Sequence, residues 1–153
     1  MNQAKFKLSD PIQFLALGFG SGLLPKAPGT YGTIAAIPLF LLMSLLSVEI
    51  YIFAVLFMSL IGIYICGQAA DAAGVHDHPA IVWDEIVGYL ITMAFIPVTW
   101  QTIIVGFILF RIFDIFKPWP ISWLDKHCHG GFGIMIDDVL AGLFALMIML
   151  LIF

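Results

Sequence analysis

Charge is what this sequence has least of. Six Lys and Arg and ten Asp and Glu make up 10% of 153 residues, against 62% hydrophobic residues. Mean hydropathy is +1.09. A soluble domain of this length needs far more polar surface, so the composition excludes an ordinary globule and favours the membrane class. The net charge of −4 and the lack of a basic stripe argue against a nucleic-acid partner. Cysteine is scarce too. Cys66 and Cys128 form no C-x-x-C, so a disulfide framework is not expected and both read as ordinary thiols. No stretch matches G-x-x-x-x-G-K-[ST], which removes a nucleotide P-loop. No internal repeat or low-complexity segment is present. The apolar stretch after Lys5 and Lys7 is broken by Gly18, Gly20 and Gly22 and has no small-x-small cleavage site. It reads as mature sequence rather than a signal peptide.

What is present is a set of apolar segments: residues 33–47, 50–66, 86–98, 101–113 and 139–153. A helix needs about 20 residues to cross the hydrocarbon core, and the third and fourth segments are the weakest candidates. Residues 10–32 are rich in Pro and Gly, so one regular helix is not expected there. Residues 11–19 fit a short interfacial helix or turn. The expectation is an all-α, polytopic integral membrane bundle forming a single domain over residues 1–153. It has about five membrane segments, four in an alternative reading, and an N-terminal interfacial segment. With a cytoplasmic N-terminus, Lys5, Lys7, Lys26, Arg111, Lys117 and Lys126 all fall inside, as the positive-inside rule requires. Asp71, Asp77, Asp84, Glu85, Asp114, Asp125, Asp137 and Asp138 gather on the same face.

Four stretches carry candidate chemistry. Residues 20–33, GSGLLPKAPGTYGT, offer glycine N–H groups, Gly29 among them, with Lys26, Thr30 and Thr33 as further donors at a helix start. A Gly/Pro turn that caps the next helix explains the same residues equally well. Asp84-Glu85 opens an apolar helix, where a favourable helix dipole is the ordinary explanation. Gly88 sits one turn later and admits a close neighbour. Arg111 and Asp114 share a helix face at i, i+3, as an ion pair or, with Lys117, as a grip on phosphate oxygens. Asp137-Asp138 repeats the logic of Asp84-Glu85: two acids expected at a helix start, with Gly142 a turn after Asp138. Two such pairs on one membrane face look like a carboxylate cage for a hard cation such as Mg2+. His76/His78 and His127/His129 form H-x-H pairs without zinc-site spacing or a cysteine set, so loop hydrogen bonding is expected, with His76-Asp77-His78 able to lend an acid near Asp84.

Together, GFGSGLLPKAPGTYGT, GVHDHPAIVWDEIVG, FRIFDIFKPWPI and HGGFGIMIDDVLAG resemble the phosphatidylglycerophosphatase A family, bacterial membrane lipid phosphatases. The matching motifs run from about Gly18 to Gly142. The resemblance implies a Mg2+-dependent phosphoric monoester hydrolase of glycerophospholipid biosynthesis in the bacterial cytoplasmic membrane. Its substrate would be phosphatidylglycerophosphate, its surroundings membrane lipids, and its site would lie on the cytoplasmic face. Asp84, Glu85, Asp137 and Asp138 would hold the metal directly or through water. Arg111 and Lys117, with the Lys26, Gly29, Thr30 and Thr33 segment, would bind the phosphoryl group. Asp114 would be a further ligand or the partner of Arg111. No D-x-D-x pattern is present, which favours activated water over a covalent aspartyl intermediate. The competing readings are a small cation transporter or channel, which needs acids at mid-depth of several helices, and a metal-dependent lipid headgroup phosphotransferase, whose D-G-x-x-A-R run is absent.

Overall fold

Local sequence rules set the helix boundaries. The computed structural model describes residues 6–153; Lys5 lies outside the described residues. Helix α1 (Pro11–Ala16) is opened by the Asp10 carboxylate, which accepts from the Ile12 N–H, with Pro11 at the first position. A short 3-10 turn (Ser21–Leu23) follows. Helix α2 (Pro28–Met43) again starts on proline, behind Ala27 held at φ +51°. Helix α3 (Val48–Ala73) is capped by Ser47 and stopped by Gly74 in the left-handed region. Then come α4 (Trp83–Thr92), α5 (Trp100–Phe116) with a Thr99/Thr102 capping box, α6 (Ile121–His127) and α7 (Gly130–Ile152). No strand occurs among the described residues.

Helix α4 is the centre of the bundle and packs on α2, α3, α5 and α7. All of its residues but Glu85 are buried. Its neighbours are fastened to it by polar side chains as well as apolar ones. Tyr51 Oη of α3 donates to the Leu90 carbonyl at 2.6 Å, and Tyr89 Oη donates to the Ile103 carbonyl of α5 at 3.2 Å. Trp83 Nε1 donates to the Met58 carbonyl at 3.1 Å. Phe40, Tyr51 and Tyr89 meet edge to face.

The contact of α4 with α7 is a backbone approach. A Cβ at Gly88 would strike the Phe110 ring and stand 2.9 Å from the Asp138 carbonyl oxygen, and one at Gly142 would strike the Gly88 carbonyl. These small residues at Gly88 and Gly142 are why two helices can bring their acidic ends together.

Two expectations change here. The segment 86–98 is helical only through Thr92; Phe95 takes φ +66° and Pro97 follows, so the chain leaves the helix. More important, Asp137 and Asp138 do not open a helix. Helix α7 begins at Gly130, two turns earlier, because Gly131 and Gly133 are close-packing positions rather than loop glycines. A Cβ at Gly131 would collide with the Ile63 carbonyl of α3.

Helices α3 and α7 are long and apolar enough to cross a membrane by length and composition. The molecule also exposes large apolar side chains in helical stripes, including Phe53, Phe57, Leu60 and Tyr64 on α3 and Ile104, Ile108, Ile112 and Ile115 on α5.

Candidate active site

The starts of α2 and α4, the end of α5 and the second turn of α7 meet around a pocket of about 290 Å³. Its lining includes Gly29, Asp77, Asp84, Glu85, Arg111, Asp114, Ile115, Lys117, Asp137 and Asp138. Six of the seven charged side chains picked out as catalytic from the sequence come from three separate helices, and the seventh, Lys117, caps α5.

Within the pocket, Asp84, Glu85 and Asp138 form a trio. Each offers a carboxylate oxygen, and the three atoms lie within 4.8 Å of one another. Asp84 and Asp138 are buried and Glu85 is partly so. Asp84 Oδ1, Glu85 Oε2 and Asp138 Oδ2 are buried without a hydrogen-bond partner. Buried polar groups are normally satisfied, and like charges packed this closely repel. The helix-start explanation does not reach Asp138, which stands two turns inside α7. A hard cation fits this donor set, since it takes several carboxylate oxygens at once and removes the repulsion.

Asp137 has a different environment. Its carboxylate accepts from Lys117 Nζ at 2.6 Å and from the Asp138 N–H at 3.1 Å. Lys117 also donates to Asp125 of α6 at 2.7 Å, so one ammonium ties the ends of α5 and α6 to the inside of α7, two turns past its start. Lys117 can do this because it ends α5 in the left-handed region, at φ +44°. Burial disfavours the charged ammonium, but the Asp125 and Asp137 carboxylates outweigh it and hold the lysine pKa above its ordinary value. Burial likewise raises the Asp125 pKa, and Lys117 outweighs it, leaving that carboxyl below its usual range.

Arg111 donates through Nη1 to Asp114, while its buried Nε has no partner. A Cβ at Gly29 would stand 2.5 Å from Glu85 Oε1 and 3.1 Å from Arg111 Nη1. Gly29 is therefore the position that lets α2 close over the acid–guanidinium pair, and its first-turn N–H has no partner inside the helix.

The rest of the glycine-rich stretch is placed elsewhere. Thr33 is fully buried and donates to the Gly29 carbonyl at 2.9 Å, which uses its hydroxyl within the helix. Thr30 is half-buried and, with Lys26, is not part of the pocket wall; Lys26 instead borders a neighbouring cleft with Phe6 and His78. Gly22 and Gly32 press against Ala80 and Val82, and the Val82 N–H donates to the Ala16 carbonyl at 2.8 Å. The stretch is thus a brace that fixes the loop leading into Asp84. Three of the histidines hydrogen-bond backbone: His76 Nε2 accepts from the Gly130 N–H, His78 Nδ1 accepts from the Ala80 N–H, and His127 Nδ1 contacts the Trp123 carbonyl. Ile115 and the pairing role of Asp125 were not legible beforehand, because neither has a local motif.

An all-helical protein with an unpaired carboxylate trio beside a guanidinium, sunk at one end of its bundle, has the equipment to handle an anionic group together with a cation. The sequence profile described as phosphatidylglycerophosphatase A matches residues 14–153. The phosphatidylglycerophosphatase A of Escherichia coli K12 is 50% identical over 141 residues, covering 92% of this chain and 82% of that one. That of Haemophilus influenzae is 49% identical over 146 residues, covering 94% and 90%. A Bacteroides thetaiotaomicron protein provisionally named phosphatidylinositol-3-phosphatase is 35% identical over 139 residues, covering 86% of each. No solved structure matches the chain. The chain belongs to the phosphatidylglycerophosphatase A family and is an enzyme of the phosphatase class.

Proposed function

We propose that this protein hydrolyses the terminal phosphomonoester of phosphatidylglycerophosphate to phosphatidylglycerol and inorganic phosphate, with Mg2+, at the cytoplasmic face of a bacterial cytoplasmic membrane. The observation that carries the mechanism is the trio of buried carboxylates with unpartnered oxygens next to Arg111. Asp84, Glu85 and Asp138 would hold the ion. Asp137, engaged by Lys117, would act from beside the trio, directly or through water. When bound, Mg2+ supplies polarisation of the phosphoryl group and acidifies an attacking water.

The chain's own residues do the rest. Arg111, oriented by Asp114, presents its guanidinium in the pocket lining and stabilises the charge that grows on phosphoryl oxygens. Gly29 lines the same pocket beside it. Lys117 adds positive potential while fixing the ends of α5 and α6 to α7.

The membrane reading rests on the exposed apolar stripes and on the alternation of helix directions. α2, α4 and α7 start near the pocket, while α3 and α5 return towards it. Five crossings result, and α4, at about 15 Å, is the short one. It is a broken crossing that continues through residues 93–99 as irregular backbone, with Met93, Ala94 and Ile96 buried and residues 97–99 exposed at its far end. Among the described residues, the cations Lys7, Lys26, Arg111, Lys117 and Lys126 lie at the pocket end in that arrangement.

Phosphate release from micelles of phosphatidylglycerophosphate tests the proposal. Release with Mg2+ and none with EDTA is expected. Ion flux across liposomes without phosphate release would replace the hydrolase by a cation path.

A further inference from the structure

We propose that the exposed face of α5 is the track along which the substrate's acyl chains lie, so that the lipid enters the pocket sideways from the bilayer. This rests on the lipid-phosphatase reading of the same site. Three observations lead to it. Ile115 belongs to two surfaces at once: it lines the pocket and is 62% exposed. It also ends an exposed apolar row, Ile104, Ile108 and Ile115, spaced by four and seven residues and so on one helix face. Arg111 falls on that same face, one turn from both Ile108 and Ile115.

A phosphorylated headgroup held at Arg111 therefore has an apolar row running from its own binding position towards the bilayer interior. The start of α2 closes directly on Arg111 at Gly29. Ile115, exposed and part of the lining, makes the α5 side an apolar edge of the mouth that runs on into the exposed row. The occupant that suits an apolar row ending at a guanidinium is a phosphorylated diacyl lipid, whose chains and headgroup are joined in that order. Other exposed stripes, such as Phe53, Phe57 and Leu60 on α3, end at no pocket cation and need only face bulk lipid.

The test is surface-dilution kinetics on phosphatidylglycerophosphate in mixed micelles, with Mg2+. The variants are Ile104→Ser combined with Ile108→Ser, the conservative pair Ile104→Leu with Ile108→Leu, and Leu60→Ser on α3. The serine pair is expected to raise the surface KM about tenfold, from lost apolar contact, with the loss in KM rather than kcat. The leucine pair and Leu60→Ser are expected to match wild type. An unchanged KM in the serine pair, or an equal rise in Leu60→Ser, would overturn the track and leave α5 an ordinary lipid-facing helix. Lack of turnover by wild type is a separate result: it removes the phosphatase reading itself.

Discussion

Asp138 is the residue on which the site turns. It is 2% exposed, two turns inside a helix, and shares its cavity with two further acids. Replacing it by Asn removes one charge from a repelling cluster without changing its shape. Asp138→Asn is therefore expected to abolish phosphate release and yet raise the melting temperature in EDTA, a trade between function and stability seen at strained sites. Addition of Mg2+ should stabilise wild type and not the variant, since only a protein that binds the ion gains from it. At Arg111, substitution by Ala should cost about a hundredfold or more in kcat, as for loss of a charge-stabilising donor. Lys at that position should restore little, because the planar fork is lost. The Lys117 pairs separate by burial. Asp125→Asn removes a partly exposed contact and should cost under about 1 kcal/mol. Asp137→Asn weakens a buried one and should cost more in thermal unfolding. These roles were unevenly legible. The acids stand out in a chain with so little charge, but Thr33 looked like a ligand donor and proves to bond its own helix. The partner of Asp137 lies 20 residues away and depends on a left-handed residue that no motif announces.

Among the elements, α4 does most to build the site, because its first turn supplies two of the three acids and its glycine sets the distance to the third. Gly88→Ala would place a methyl against Phe110 and the Asp138 carbonyl. It should destabilise by about 1–3 kcal/mol, as overpacking does, and lower activity by displacing Asp138. Gly29→Ala should lower activity with a smaller change in stability, since the added methyl meets side-chain ends of Glu85 and Arg111 rather than a packed ring. Thermal unfolding and phosphate release on the two variants compare these effects directly. The value of Gly88 as a close-approach position could be read from its place one turn beyond Asp84. The early start of α7 could not. Its glycines look like a loop in isolation, and only the approach of Ile63 and Gly67 from α3 to Gly131, and of the Cys128 carbonyl to Gly133, explains these two as helical close-packing positions. The end of α4 at Thr92 was hidden for the opposite reason: hydrophobicity continues through Ile96 while the backbone has already turned.

At the scale of the whole molecule, composition announced a helical, apolar protein, and the exposed stripes on α3 and α5 agree with it. The proposed topology makes a labelling prediction. In a cysteine-free background, Ser47→Cys, at the end away from the pocket, should react with a membrane-impermeant maleimide from outside intact cells. Lys126→Cys, on the pocket side, should react only after the membrane is opened. What the sequence could not convey was how the acids divide their roles. Of eight on one face, six line the pocket, yet only three of them close into the trio, while Asp114 pairs with Arg111 and Asp137 and the outlying Asp125 hold Lys117. The claim that this trio is the metal site is tested most directly by Mn2+ binding, followed by electron paramagnetic resonance, on wild type, Asp138→Asn and Asp125→Asn. The account predicts saturable binding by wild type and Asp125→Asn, displaced by Mg2+, and its loss in Asp138→Asn. Equal binding by all three proteins would contradict it.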